Sequence, residues 1–246
     1  MYEEIYYNTW EEFKCNYCKD VFDGQFAPQK YIFRGQSNSD WGLVSSFDRI
    51  YCDLKWNKKH LIQKELLDRF KSNCIRHTAS VFDNMTDIEL MSLAQHYGVP
   101  TRLLDWSYSP FIAAYFAFSS TDYNSSSKHV AIWALQKEHE IWQEDIGVSI
   151  KEDIVKQNEH QKKQLGCFSI LNNQEKSIDS FVISCERNGK NIDGALKKIT
   201  LPAFEYQYAL CELEAMNINA STIFGGLNGC AQESRDFIAL KYFLHP

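Results

Sequence analysis

One stretch constrains the fold more than any other: Gln95-His96-Tyr97-Gly98-Val99-Pro100-Thr101-Arg102-Leu103-Leu104-Asp105-Trp106. Upstream, Thr86 and Glu89 have the spacing of a capping box, and Met91 and Ala94 carry a short helix to His96. Gly98 suits a helix C-terminus, and Pro100 bars any continuation. Thr101 to Trp106 must then be extended. Ser109-Pro110 reads as an N-cap followed by Pro at the first helical position, and Phe111, Ala114, Tyr115 and Phe118 give a buried helix. Helix, strand and helix therefore follow each other closely, with a His, an Arg and an Asp at the junctions.

The rest of the chain alternates in the same way. Thr9 and Glu12 cap a helix with Trp10, Phe13, Tyr17 and Val21 at helical spacing, so the chain opens on an amphipathic helix. Residues 24–29 form a turn. Tyr31 to Arg34 is a short strand stopped by Gly35. Residues 58–75 are helical, with Ile62, Leu66 and Phe70 on one face. Residues 122–128, rich in Ser and Asn, are a loop. Strands follow at 129–135, 166–171 and 196–203, and helices at 177–188, 205–216 and 232–243, the last two flanking an Asn-Gly-rich turn. Residues 137–163 are charged and weakly periodic; they read as a helix plus mobile loop, a candidate lid or insertion. Without a regular βαβ rhythm, the pattern predicts an α+β fold with a mixed or antiparallel sheet and flanking helices.

The 246 residues suit one domain, and 44% hydrophobic residues can fill its core. A net charge of -6 argues against a broad groove for duplex nucleic acid, but it permits a local Arg pocket for a phosphate. No apolar run reaches the roughly 20 residues needed to span a bilayer, and residues 1–9 do not resemble a signal peptide. The eight scattered cysteines read as reduced thiols, so the expected location is cytoplasmic. Cys15 and Cys18 have no second pair at metal spacing, so no metal is implied. Composition leaves the oligomeric state open.

Three constellations carry chemistry. In Phe33-Arg34-Gly35-Gln36, an Arg ends an apolar strand, and a buried guanidinium needs an anion or several acceptors. Gly35 lets a backbone or a ligand approach closely. An internal ion pair explains Arg34 equally well. In the second constellation, Arg102 and Leu104 share one strand face, and Leu103 and Asp105 the other. Arg102 and Asp105 therefore seek separate partners, with Arg34 the obvious one for Asp105. His96 is either a functional imidazole or a helix-terminal His favoured by the helix dipole. In the third, Ser107 and Ser109 precede a helix N-terminus, which can hold an anion or simply be capped by Ser109. A structural alternative joins Arg34, Arg102 and Asp105 in one buried ionic network.

These segments resemble the FRG domain, a family named for its Phe-Arg-Gly motif. The run from Gln95 through Ser107 carries the resemblance, which continues to Ala117. Gln164-Leu165-Gly166-Cys167-Phe168 is similar to the family's Gln-x-Gly-x-Phe strand. Residues 221–229 are similar to its C-terminal turn, with Gly225 and Asn228 where Pro and Asp are usual. The resemblance implies a single FRG-type domain over 1–246. It comprises an N-terminal helix in 1–30, a family core in 31–231 and a C-terminal helix in 232–246.

A more distant resemblance, to arginine-type ADP-ribosyltransferases, implies a reaction and an ADP-ribosyltransferase-like sheet. Arg34, with Gly35 and Gln36, matches their phosphate-gripping strand, and Ser107-Tyr108-Ser109 matches the element that orders the nicotinamide ribose. Gln164 matches the first residue of their Gln-x-Glu pattern, with Gly166 in place of the catalytic Glu. The implied ligand is NAD, consumed as substrate by a transferase or a glycohydrolase in a bacterial defence or toxin setting. Arg34, Gly35, Gln36, Arg102, Ser107, Ser109 and Gln164 would bind it. Asp105, His96 or Glu205 would supply the missing acid–base group, and the acceptor would be a protein, a nucleic acid or water. The alternative is a nucleotide or ADP-ribose binding module without chemistry. The transferase expectation requires Arg34, His96, Ser107 and Asp105 to converge on one cleft, with Arg34 and Ser107 on one face of the sheet.

Overall fold

The computed structural model describes residues 1–22, 24, 29–77, 82, 85–119, 128–142, 147–152 and 166–242. Among these, seven strands form one mixed sheet: β1 (Glu3–Tyr6), β2 (Tyr31–Gln36), β3 (Leu103–Ser107), β4 (His129–Gln136), β5 (Val148–Lys151), β6 (Gly166–Leu171) and β7 (Leu196–Pro202). Their order across the sheet is β1-β7-β4-β2-β3-β6-β5. Only β1 and β7 pair in parallel; the other neighbours are antiparallel. The architecture is thus the expected α+β type with flanking helices.

β4 shows how sequence makes the sheet two-sided. Val130, Ile132 and Ala134 enter one core, and Ala131, Trp133 and Leu135 enter the other. Alternate residues leave opposite faces of a strand, so a continuous apolar run marks a strand covered on both sides. The first core takes in α1 (Trp10–Phe22), α5 (Pro110–Ser119) and α7 (Tyr206–Ala215). The second is covered by α6 (Ile178–Arg187). A satellite cluster joins α3 (Trp56–Ile75) to α4 (Asp87–His96), where Leu67 meets Leu90 and Ala94. α2 (Ser46–Ile50), α8 (Ala220–Phe224) and α9 (Gly226–Tyr242) complete the described helices.

Three expectations are corrected and one unannounced helix is added. The chain opens on strand β1 and not on the helix; Glu3–Tyr6 is a short, largely exposed edge strand without an apolar alternation to announce it. Within 137–163 the described residues hold no helix, and Val148–Lys151 adds edge strand β5; residues 143–146 and 153–163 lie outside the described residues. The two apolar residues Val148 and Ile150 alternate correctly, but the surrounding charge hides them. The five-residue helix α2 has too few turns to show a period. α9 begins at Gly226 where a turn was expected, because bare glycines there serve packing: a Cβ on Gly229 would stand 2.8 Å from the Ala220 carbonyl. The loop at 122–127, most of the turn at 24–29, and residue 243 lie outside the described residues.

Gly35 fixes α5 to the sheet. A Cβ built there would lie 1.9 Å from the Ala113 carbonyl oxygen and 2.7 Å from the Ala117 nitrogen. Ala113, Ala114 and Ala117 are fully buried, so a stripe of small side chains lets the helix backbone rest on β2. What approaches Gly35 so closely is a helix backbone, which cannot yield as a flexible side chain would. Gly35→Ala should therefore cost about 3 kcal/mol, the range of overpacked cores. Urea unfolding checks this: the midpoint should fall with the slope unchanged, and an unchanged midpoint would contradict the packing argument.

Candidate functional site

β2 and β3 meet at one ladder position, Phe33 opposite Ser107. Beyond it the strands part, and Arg34 spans the gap. Its Nη1 donates to the Asp105 backbone carbonyl at 2.8 Å, and the Asp105 carboxylate is 3.8 Å from the same nitrogen. The Nε of Arg34 is buried and has no hydrogen-bond acceptor among the described residues. Around this split lies a cleft of about 1400 Å³. One wall comes from β2 and the loop after it, another from α4 and β3, and a third from α5 and the start of α9.

Arg34, Gly35, Gln36, His96, Asp105 and Ser107 all line this cleft. Arg34 and Ser107 nevertheless leave the sheet on opposite faces. Ser107 lies across from Phe33 and shares its side, and Arg34 is the next residue along. The expected placement on one face is therefore not met, and the two reach a common cleft only because the ladder ends there. Each polar group has a defined setting. Gln36 accepts from the Trp133 indole N–H at 2.7 Å and donates to the Gly42 carbonyl at 3.1 Å, which folds the following loop back over β2. The Ser107 hydroxyl accepts the Ser109 N–H at 3.1 Å. His96 is exposed at the end of α4, its ring edge-on to Tyr97 at 5.2 Å.

Asp105 is the cleft's best-held carboxylate. Gln95 donates its side-chain amide to both carboxylate oxygens at 2.7 Å, and Gln95 in turn accepts from the Thr101 hydroxyl. The Asp105 side chain keeps 53% of its surface accessible and lines the cleft. Removal from bulk water raises its pKa above the ordinary carboxylate value, against the opposing pull of Arg34. Burial likewise works against the Arg34 charge; Asp105 supports that charge and Arg49 opposes it.

The remaining candidates lie elsewhere. Arg102 is buried in a separate network: its Nε is 3.5 Å from the Asp48 carboxylate, its guanidinium sits 4.2 Å over the Trp56 ring, and it donates to the Leu171 carbonyl. Asp48 also holds Lys59 at 2.9 Å. Arg102 therefore pins α2 and α3 to the start of β3 and does not line the cleft, and the single network of Arg34, Arg102 and Asp105 does not form. Glu205 is buried and accepts the Trp10 N–H at 2.8 Å, holding α1 outside the cleft. Ser109 accepts the Ile112 N–H at 3.3 Å as the helix cap and is not a cleft residue. Gln164 lies outside the described residues. Gly166 is directly opposite Ser107 in the β3–β6 ladder.

The cleft also holds residues that the sequence reading passed over: Trp41, Arg49, Gln95, Tyr115 and Arg235. Tyr115 donates to Asp236 at 2.7 Å, and Gln232 donates to the other oxygen of the same carboxylate at 2.7 Å, so α9 is tied to the cleft wall. Of these, Gln95 and Tyr115 stood in segments already singled out, Tyr115 only as a buried helix residue. Trp41, Arg49 and Arg235 come from a loop and two helices with no local chemical pattern.

No curated protein and no solved structure matches this chain. A family model described as the FRG domain matches residues 29–126, the stretch that contains β2, α2, α3, α4, β3 and α5 and hence most of the cleft. The protein carries an FRG domain across residues 29–126.

Proposed function

We propose that the cleft binds a phosphate-bearing nucleotide of the NAD or ADP-ribose class, with Arg34 as the phosphate anchor. The observation that carries this reading is the buried Arg34 Nε without an acceptor, on the wall of a cleft large enough for such a ligand. A guanidinium offers five N–H donors in a planar fork suited to phosphate oxygens. A buried donor left unmade costs about 1–3 kcal/mol, so a ligand oxygen there recovers stability that the empty site forgoes. Arg49 and Arg235 add positive charge to the same cleft.

A second reading, an ADP-ribosyltransferase-like cleavage of NAD, is favoured by Asp105. In that step the C–N bond between ribose and nicotinamide breaks, its electron pair leaves with nicotinamide, and an acceptor hydroxyl adds to the ribosyl carbon. The proton of that hydroxyl would pass to the Asp105 carboxylate, whose raised pKa makes it a better base than an ordinary Asp. Two observations favour binding over chemistry. Gly166 offers no carboxylate opposite Ser107, and Arg34 and Ser107 leave the sheet on opposite faces.

Calorimetry with NAD and with ADP-ribose tests the first reading. Saturable binding is expected, and Arg34→Met should weaken it about tenfold or more, the loss of one charge-assisted hydrogen bond. Absence of saturable binding by the wild type would overturn it. Chromatographic measurement of nicotinamide tests the second: release that falls on the order of a hundredfold in Asp105→Asn, with binding retained, would establish Asp105 in catalysis.

The Asp105 pKa also sets a pH signature. A folded pKa above the unfolded value means that ionising Asp105 costs the fold stability at pH above that raised value. Asp105→Asn should therefore melt above the wild type at neutral pH. The gain should fade as pH falls through the raised value and vanish below about 4, where the group becomes protonated in both states. Thermal melts of both proteins across this range check it, and a gain that persists at acid pH would point to a cause other than charge.

A further inference from the structure

Trp41 is the unexplained aromatic of this molecule. Of the six tryptophans, Trp10, Trp106, Trp133 and Trp142 donate their indole N–H to Glu212, Ser169, Gln36 and the Gln136 carbonyl. Trp56 lies beneath Arg102 and against His60. Trp41 makes no such contact among the described residues, is 54% exposed, and lines the cleft. A lone exposed apolar side chain is ordinary on an open surface. This one stands inside a concave site on a loop fixed from three directions. The Gly42 carbonyl accepts from Gln36 at 3.1 Å, the Leu43 N–H donates to Asp179 at 2.7 Å, and the Trp41 N–H donates to the Asn38 carbonyl at 3.3 Å.

That fixation sets where the ring stands. Arg34 and Gln36 are two residues apart on β2, so they share a face of the strand. The Gln36 amide that holds the loop therefore brings Trp41 back over the side from which Arg34 emerges. An indole lining the same cleft as an under-coordinated guanidinium is the pairing a nucleotide requires: a flat π-surface for the base and a cation for the phosphate.

We propose that Trp41 is the stacking platform for an aromatic base, and that the cleft therefore selects nucleotides over sugar phosphates; this rests on the phosphate-anchoring reading of Arg34. Stacking on an aromatic side chain tolerates any base, since every base has a π-face, so the platform sets the class of ligand and leaves the identity of the base to other contacts.

The test is calorimetry with ADP-ribose and with ribose 5-phosphate, which keeps the phosphate and lacks the base. Wild type should prefer ADP-ribose by about tenfold or more, and Trp41→Ala should erase most of that preference. Trp41→Phe, which keeps a flat ring, should restore it. Arg34→Met should weaken both compounds and leave their ratio unchanged. A preference that survives in Trp41→Ala, or no preference in the wild type, would overturn the platform. If Trp41→Ala erases the preference while Arg34→Met changes nothing, the platform stands and the phosphate anchor falls. Binding of neither compound by wild type would remove both. Trp41 is exposed on a loop held by main-chain contacts and by the side chains of other residues, so its variants should keep the wild-type melting temperature.

Discussion

The whole cleft depends on how little β2 and β3 pair. One ladder position joins them, and everything beyond it is a gap that the Arg34 side chain has to cross. A longer ladder would have closed the sheet, satisfied its backbone groups and left Arg34 and Asp105 on separate faces. The gap lets both faces drain into one cavity. Arg34 pays for this with a guanidinium whose Nε has no acceptor and whose nearest carboxylate is 3.8 Å away. An apolar side chain could fill the same position without that cost, and local rules of packing are most often broken where a site is built.

Arg102 makes the contrast clear. Both arginines sit in or beside short strands among apolar neighbours, and nothing in their local sequence separates them. The Nε of Arg102 also lacks a hydrogen bond among the described residues, but Arg102 lies away from the cleft, beside the Asp48 carboxylate, the Trp56 ring and the Leu171 carbonyl, and its role is to hold α2 and α3. Arg34 has one carbonyl and a distant carboxylate. The partners that distinguish them come from residues far along the chain, so composition and periodicity could not have sorted the anchor from the brace.

Much of the fold was legible for the same reason that this distinction was not. The capping box at Thr86, the Gly98-Pro100 stop and the apolar run of β4 are local signals, and the structure starts a helix, ends it and forms a strand where they stand. β1, α2 and β5 are four or five residues long and stabilised by their neighbours, so their own sequences carry little period. The cleft follows the same division. Arg34, His96, Asp105 and Ser107 stood in dense motifs. Trp41, Arg49 and Arg235 gain their significance only from where a loop and two helix turns are brought in space.

The position of Gly166 bears on what such a cleft can do. A side chain there would share the Ser107 side of the sheet, since the two residues are directly opposed. Asp105 also lies on that side, two residues earlier on β3, so its Cα is displaced from position 166 by one strand spacing, about 4.8 Å, and by two residues, about 6.7 Å along the strand. A short Asp side chain held at both oxygens by Gln95 cannot make up that distance. A carboxylate acting in this cleft therefore acts from β3, close to Arg34, and not from β6 beside Ser107.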